Sequence, residues 1–232
     1  VGQKQFFAIL DSETTVNDTV ADLGIVICDR QGNIHNQMAV MIKGHFDEME
    51  LFYNPKDTGF WGKEAAIKRK GAYVDMLNNG TRVLASVNAV NIWIAKAIGK
   101  YNPELTAYNL AFDVDKCNKT GIDLTGFKNS FCLWQAAVGN ICQTKKFKQF
   151  ALENHGFNNR TANGNMTFQT NAEIVAGYLA GQFQPEPHTA IEDAIFFEKP
   201  ILTHILKKKG WREKITPYNW KAHQVKDHFQ VK

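Results

Sequence analysis

Apolar and polar positions change rhythm several times along this chain. Residues 5–10 (QFFAIL) form a short unbroken apolar run ending at Asp11, which predicts a buried strand. Residues 22–29 (DLGIVICD) and 34–43 (IHNQMAVMIK) predict two more strands. The turn residues Gln31-Gly32-Asn33 between them make the opening an antiparallel meander. Residues 62–78 carry helix formers mixed with basic residues. A clearer helix follows over 86–99, where Val90, Ile94 and Ile98 recur four apart with Val87 on the same face. Residues 105–108 predict a brief strand, followed by Asn109 and a helix from about Phe112. Residues 130–138, 145–155 and 171–180 read as mostly helical, with strand character near 131–133.

The last strong element begins at Thr189. Thr189-Ala190-Ile191-Glu192 matches a capping box, in which the Thr hydroxyl and the Glu carboxylate satisfy orphan backbone donors. Pro185 and Pro187 precede it, where they cannot interrupt the helix, whereas Pro200 should split or kink the pattern and start a second helix. There is no internal repeat, low-complexity tract or linker. Three strands followed by helices alternating with short strands predict one α/β domain over residues 1–232.

Composition adds little until it is resolved along the chain. With 44% hydrophobic and 22% charged residues the protein has an ordinary globular balance, and its net charge is +4. Residues 201–232, however, hold eight Lys or Arg against two acids, a local +6 that leaves the remainder at −2. A basic C-terminal extension, about 207–232, fits either a nucleic-acid partner or a solvated tail. The four cysteines (Cys28, Cys117, Cys132, Cys142) form no CxxC pair, which argues against structural zinc and a disulfide framework. No segment approaches transmembrane length, and residues 1–10 lack the long apolar run of a signal peptide. These features give the expectation of a reduced, cytoplasmic compartment and no membrane partner.

Three short stretches carry candidate chemistry. Asp11 and Glu13, two apart on a strand, project from the same face, and adjacent carboxylates repel unless a cation lies between them. Hard cations such as Mg²⁺ or Mn²⁺ prefer oxygen ligands, so Asp-Ser-Glu is a candidate site, although acidic pairs at strand ends are commonly just solvated. In Asn109-Leu110-Ala111-Phe112-Asp113, Asp113 falls at a strand-to-helix junction, where capping is the ordinary role. In His188-Thr189-Ala190-Ile191-Glu192-Asp193, the capping box would consume Glu192 and leave His188 and Asp193 free to face one cleft.

Asp-x-Glu-Thr, Asn-x-x-Phe-Asp and His-x-Ala-x-x-Asp, in this order and at these separations, resemble the DnaQ-like exonuclease superfamily in its DEDDh branch. The resemblance extends from Phe6 to about Leu206, and the Glu186-Pro187-His188-Thr189-Ala190 stretch is most similar to small stand-alone bacterial and phage members. It implies an RNase H-like fold, a five-stranded mixed sheet with one antiparallel strand, flanked by helices on both faces. It also implies a 3′→5′ exonuclease in a bacterial cell, phage-encoded or not, that releases nucleoside 5′-monophosphates from nucleic-acid 3′ ends. Single-stranded DNA is the first substrate expected. By this resemblance Asp11, Glu13, Asp113 and Asp193 hold two divalent metal ions, Mg²⁺ or Mn²⁺, with Glu13 and His188 at the reaction. His188 is the general base, since an imidazole titrates near neutrality. Thr14 matches the position contacting the 3′-terminal nucleotide. Asn109 is a further candidate at the substrate, though it and Phe112 fit better as supports of the second motif.

Residues 54–82 depart from the compact family pattern, with Phe60, Trp61, Lys63, Lys68, Arg69 and Lys70 clustered together. Either Trp61 and its basic neighbours stack bases and track phosphates, or the segment is an amphipathic helix packing Trp61 into the core, the reading slightly preferred. Two other functions share these motifs: an exoribonuclease trimming RNA or short oligoribonucleotides, and a non-catalytic binding or docking module.

Overall fold

The apolar run near the start is the central strand of the molecule. In a computed structural model of the chain, which describes residues 4–158 and 165–225, β1 spans Phe6–Thr14 and is covered on both faces. Phe7 and Ile9 enter one apolar cluster and Ala8 and Leu10 the other. A strand buried on both sides needs no polar alternation, which is why it reads as a continuous run. The strand does not stop at Asp11 as expected. Asp11, Ser12 and Glu13 stay paired with Gly24, Leu23 and Asp22 of β2 (Val20–Asp29), so the acids lie within the paired strand.

With β3 (Ile34–Ile42), β4 (Val83–Ala85), β5 (Glu104–Ala107) and β6 (Ser130–Cys132), the sheet runs β4-β3-β2-β1-β5-β6. β2 pairs antiparallel with both neighbours and every other pairing is parallel, so one strand alone is reversed. There are six strands, not the five expected. The additional one, β4, is three residues long, too short to show a period, and it forms because Val83 to Ala85 lie along the end of β3.

Helices α1 (Lys63–Asn78), α2 (Val87–Tyr101) and α3 (Leu110–Thr120) precede α4 (Leu133–Ala137), α5 (Lys145–Glu153) and α6 (Ala172–Ala180). α2 and α3 cover one face of the sheet; Val90 and Ile94 are buried there as their spacing predicts. α4, α5 and α6 cover the other, with α7 (Ala190–Asp193) and α8 (Lys199–Leu206). Between α7 and α8 the chain widens into a π turn, Ala194–Glu198. Pro200 sits in the first turn of α8, lacks an N–H and would crowd the carbonyl four residues earlier, so the wider turn absorbs the misfit.

The described start of the basic extension, residues 207–212, packs against the body of the protein. Trp211 is buried in the helical cluster, Lys208 Nζ donates to the carbonyl of Asn140 at 2.6 Å, and Arg212 forks onto Glu104. Glu104 opposes Phe7, at the far end of β1 from the acids. Lys226 and Lys232 lie outside the described residues.

α7 reaches the sheet because Gly24 has no side chain. A Cβ there would lie 2.5 Å from the Ile191 nitrogen and 2.6 Å from the Ala190 carbonyl carbon, backbone atoms with no freedom to yield. Gly24→Ala should therefore cost ~1–3 kcal/mol or more in chemical denaturation. Arg212→Ala should likewise lower stability, because Glu104 is left nearly buried without its partner; an unchanged denaturation midpoint in either variant would contradict this packing.

Candidate active site

Strand alternation puts Asp11 and Glu13 on the α7 side of the sheet, while Ser12 and Thr14 face the other way. From that second side α3 delivers Asp113, whose Oδ1 accepts a 2.7 Å hydrogen bond from Ser12 Oγ. From the first side α7 delivers Asp193. Glu13, His188 and Asp193 can each bring one ligand atom within 4.8 Å of the others, and His188 Nδ1 lies 4.0 Å from Glu13 Oε1. Glu13, His188 and Asp193 thus meet at one end of β1, while Asp11 and Asp113 stand outside that group of three, Asp11 near enough to act electrostatically on Glu13, Asp113 and Asp193.

The segment carrying His188 and Asp193 is held differently from the capping-box expectation. Thr189 makes no side-chain cap, and its hydroxyl is buried without a hydrogen-bond partner. Asp193 Oδ2 accepts from the Thr189 N–H at 3.0 Å, and Asp22 Oδ2 accepts from the Ala190 N–H at 2.9 Å. Glu192 is drawn away by Arg82, a buried guanidinium that also lies 3.5 Å from Asp22. A full positive charge outcompetes a backbone N–H for the carboxylate, so the reciprocal cap is not formed.

Crowding changes what these groups are. Burial, then the charge of Asp22, pushes Asp11 up to about 7. Burial, Asp11 and Glu186 push Asp193 up to about 9. Glu13 is raised well above its ordinary value by burial, Asp11 and Asp193, and Asp113 by burial and Asp11. Two further carboxyls share this field. Glu186 rises to about 8 through burial, Asp11 and Glu173, and Glu198, in the π turn, rises well above its ordinary value through burial, Asp11 and Asp113. Asp193 Oδ1 and Glu198 Oε2 are buried with no hydrogen-bond partner among the described residues. The arrangement is a pocket of hard oxygen donors that lacks enough positive charge.

A cleft of about 610 Å³ opens from Ser12, Glu13 and Thr14 toward Phe52, Trp61 and Phe112. Trp61 is 38% exposed, contrary to the reading that packs it into the core. Its ring lies 5.0 Å from that of His188, and Phe60 lies 4.6 Å from the same imidazole. Arg69 stacks over both aromatic rings and donates to the carbonyls of Phe60 and Phe52. α1 buries only Ala66 and Tyr73 in place of Trp61, and Tyr73 donates its hydroxyl to the His188 carbonyl at 3.0 Å. His188 has φ 53°, in the left-handed region that is costly for such a residue and that surrounding contacts must hold. Burial and the Arg69 charge lower its imidazole below the ordinary value, which favours the uncharged ring.

Thr14 lines the cleft. Asn109 adopts φ 79° and makes the tight turn into α3, its side chain forming no cap. Phe112, read as a support, is instead 43% exposed on the cleft wall. Sequence reasoning missed Asp22, Tyr73, Arg82 and Glu198, since no local spacing ties them to the motifs. Glu186 lay inside a stretch already singled out and was still not assigned a role. Comparison with protein-family models, curated proteins and solved structures returned no match to this chain.

The raised carboxyls predict a pH-dependent stability. Their native values exceed the unfolded ones near 4, so the native state holds protons more tightly and the associated stability is present below about pH 4. It is lost as pH rises through about 7, 8 and 9 for Asp11, Glu186 and Asp193. In chelator, the melting temperature should fall across this window, and Asp193→Asn should flatten the decline. A melting temperature that holds steady or climbs over the same range would remove the basis for a crowded cluster.

Proposed function

We propose that this protein is a divalent-metal-dependent 3′→5′ exonuclease acting on single-stranded nucleic acid. The observation that carries the reading is the meeting of Glu13, His188 and Asp193, whose ligand atoms come within 4.8 Å of one another, with Asp11 close enough to raise Glu13, Asp113 and Asp193. The motif order that resembles the DEDDh exonucleases supports it. So does a mixed sheet with one reversed strand and helices on both faces, which fits an RNase H-like core with β4 added at its edge.

The donor set fits a hard cation: every carboxyl offers oxygen, and Asp193 Oδ1 is buried without a partner. Asp11, Glu13, Asp113 and Asp193 would hold two Mg²⁺ or Mn²⁺ ions. When bound, the ions neutralise the cluster and act as Lewis acids on the phosphoryl oxygens. The chain's own groups do the rest. His188 takes a proton from the water whose oxygen attacks the terminal phosphodiester phosphorus, and the bond from phosphorus to the preceding 3′-oxygen breaks. A nucleoside 5′-monophosphate leaves, and the shortened chain keeps a new 3′-hydroxyl. Thr14, which lines the cleft next to Glu13, would contact the terminal nucleotide, and Arg69, whose charge reaches Glu13, would add positive charge for its phosphate.

Labelled DNA and RNA oligonucleotides, with Mg²⁺ and with EDTA, test the reading and rank the two substrates. A 5′-labelled strand should shorten stepwise, a 3′-phosphorylated strand should resist, and EDTA should abolish the reaction. Asp11→Ala, Glu13→Ala, Asp113→Ala and Asp193→Ala should each lose turnover while remaining folded, since removing one acid relieves repulsion. Full turnover in two of them would sink the proposal. His188→Ala should lower turnover by ~10²–10⁴-fold, the usual contribution of a general base. Cation-induced thermal stabilisation should survive in that variant, because His188 holds a proton and not the ions. Stabilisation by Mg²⁺ or Mn²⁺ without any strand shortening would point to the docking-module alternative.

A further inference from the structure

A second concavity, of about 490 Å³, opens between α4, the stretch 165–171 and the turn around Tyr218. Its wall is an aromatic stack. Tyr218 lies on Trp134 with centroids 5.5 Å apart and planes 23° from parallel, and on His223 at 4.8 Å and 26°. Trp134 is fixed in place because its Nε1 donates to Thr170 Oγ1 at 2.9 Å. Trp220 also lines the space and is 48% exposed, a large indole kept in contact with solvent.

Apart from Phe168, the remaining lining is polar and uncharged. Asn171 uses Oδ1 to cap α6, which leaves its Nδ2 as a donor, and Gln169 offers a whole side-chain amide. No acidic side chain among the described residues lines the pocket. Two lysines flank it: Lys221 Nζ lies 5.6 Å from the Trp220 ring, and Lys148 Nζ donates to the Ala222 carbonyl. Tyr218 is sandwiched between Trp134 and His223, so the exposed Trp220 offers the face on which a base of any sequence can stack, while the amides can pair with base edges and Lys221 can meet a phosphate.

Its position links it to the carboxylates. Tyr108 follows β5; its N–H donates to Glu198 Oε1 at 3.1 Å, and its hydroxyl donates to the Thr170 carbonyl. Glu198 lies in the field of Asp11 and Asp113, and Thr170 anchors Trp134. One tyrosine therefore separates the acidic cluster from the aromatic pocket. We propose that the Trp134–Tyr218–Trp220 pocket is a second nucleobase subsite, holding an unpaired base of the same strand upstream of its 3′ end. This rests on the exonuclease reading above.

The test compares the full-length wild type, Trp220→Ala and Trp220→Phe on oligothymidylates from two to twelve nucleotides in Mg²⁺. In the wild type, KM should fall about 5- to 150-fold once the strand reaches the pocket, the range expected for one stacked base. Trp220→Ala should lose that gain while its kcat and its hydrolysis of the dinucleotide stay at wild-type levels. Trp220→Phe, which keeps an aromatic face, should recover most of it. Wild-type length dependence in Trp220→Ala would overturn the subsite and leave the exonuclease reading standing. A wild type that shortens no oligonucleotide would overturn both. Fluorescence quenching by a proline-rich peptide but not by oligothymidylate, present in the wild type and lost in Trp220→Phe, would overturn the subsite in favour of a peptide groove.

Discussion

Burying one carboxylate costs free energy unless it is paired, and here several are gathered around Asp11 at one end of a strand whose residues Phe7 to Leu10 are fully buried. Nothing nearby balances them. Arg82 is committed to Asp22 and Glu192, and Arg69, though its charge reaches Glu13, is tied to the carbonyls of Phe52 and Phe60. The cluster persists because the rest of the molecule over-determines it. β1 cannot shift its register without turning Phe7, Ile9, Ala8 and Leu10 out of their two apolar layers. Asp11 and Glu13 are carried wherever that register puts them.

The partner acids are held by equally inflexible means. α7 touches β2 at Gly24, opposite Asp11 in the register, and the Asp22 carboxylate and the Asp193 carboxylate bind the first backbone N–H groups of that helix. Arg82 bridges Asp22 to Glu192, joining β2 to α7 through a guanidinium that is 3% exposed. A buried ion pair of this kind is a weak source of net stability, but losing one partner would strand the other charge. Its consequence here is positional: it fixes where α7 begins, and so where His188 and Asp193 stand relative to Glu13.

The 54–82 segment completes this arrangement from outside. Its helix packs loosely, burying Tyr73 and Ala66, and it presents Phe60, Trp61 and Arg69 to His188. Covering an imidazole with two aromatic rings and a guanidinium removes water from one side and favours the uncharged ring. The same aromatic surface forms one wall of the cleft, with Phe112 of α3 among its other lining residues. Substrate choice in the proposed nuclease would therefore depend on this segment as much as on the acids.

Much of the fold was legible before any coordinates, because burial on both faces leaves a direct mark. The apolar run to Leu10, the two meander strands and the four-residue spacing of Val90 and Ile94 all follow from local patterns. The motif acids and His188 stood out in the sequence through a resemblance in motif order, and of these the fold brings Glu13, His188 and Asp193 within reach of one another. What the chain could not reveal locally were effects between distant segments. β4 exists only because three residues happen to lie along β3, and the capping box at Thr189 fails only because Arg82, some 110 positions away, takes Glu192. Trp61 looked like a core residue until α1 buried Tyr73 in its place. The sequence by itself determined most of the strands and helices and marked the candidate side chains, because those signals depend on neighbours along the chain. Tertiary structure alone decided which charges compensate one another, because Coulomb and desolvation energies depend on distances that only the folded chain sets.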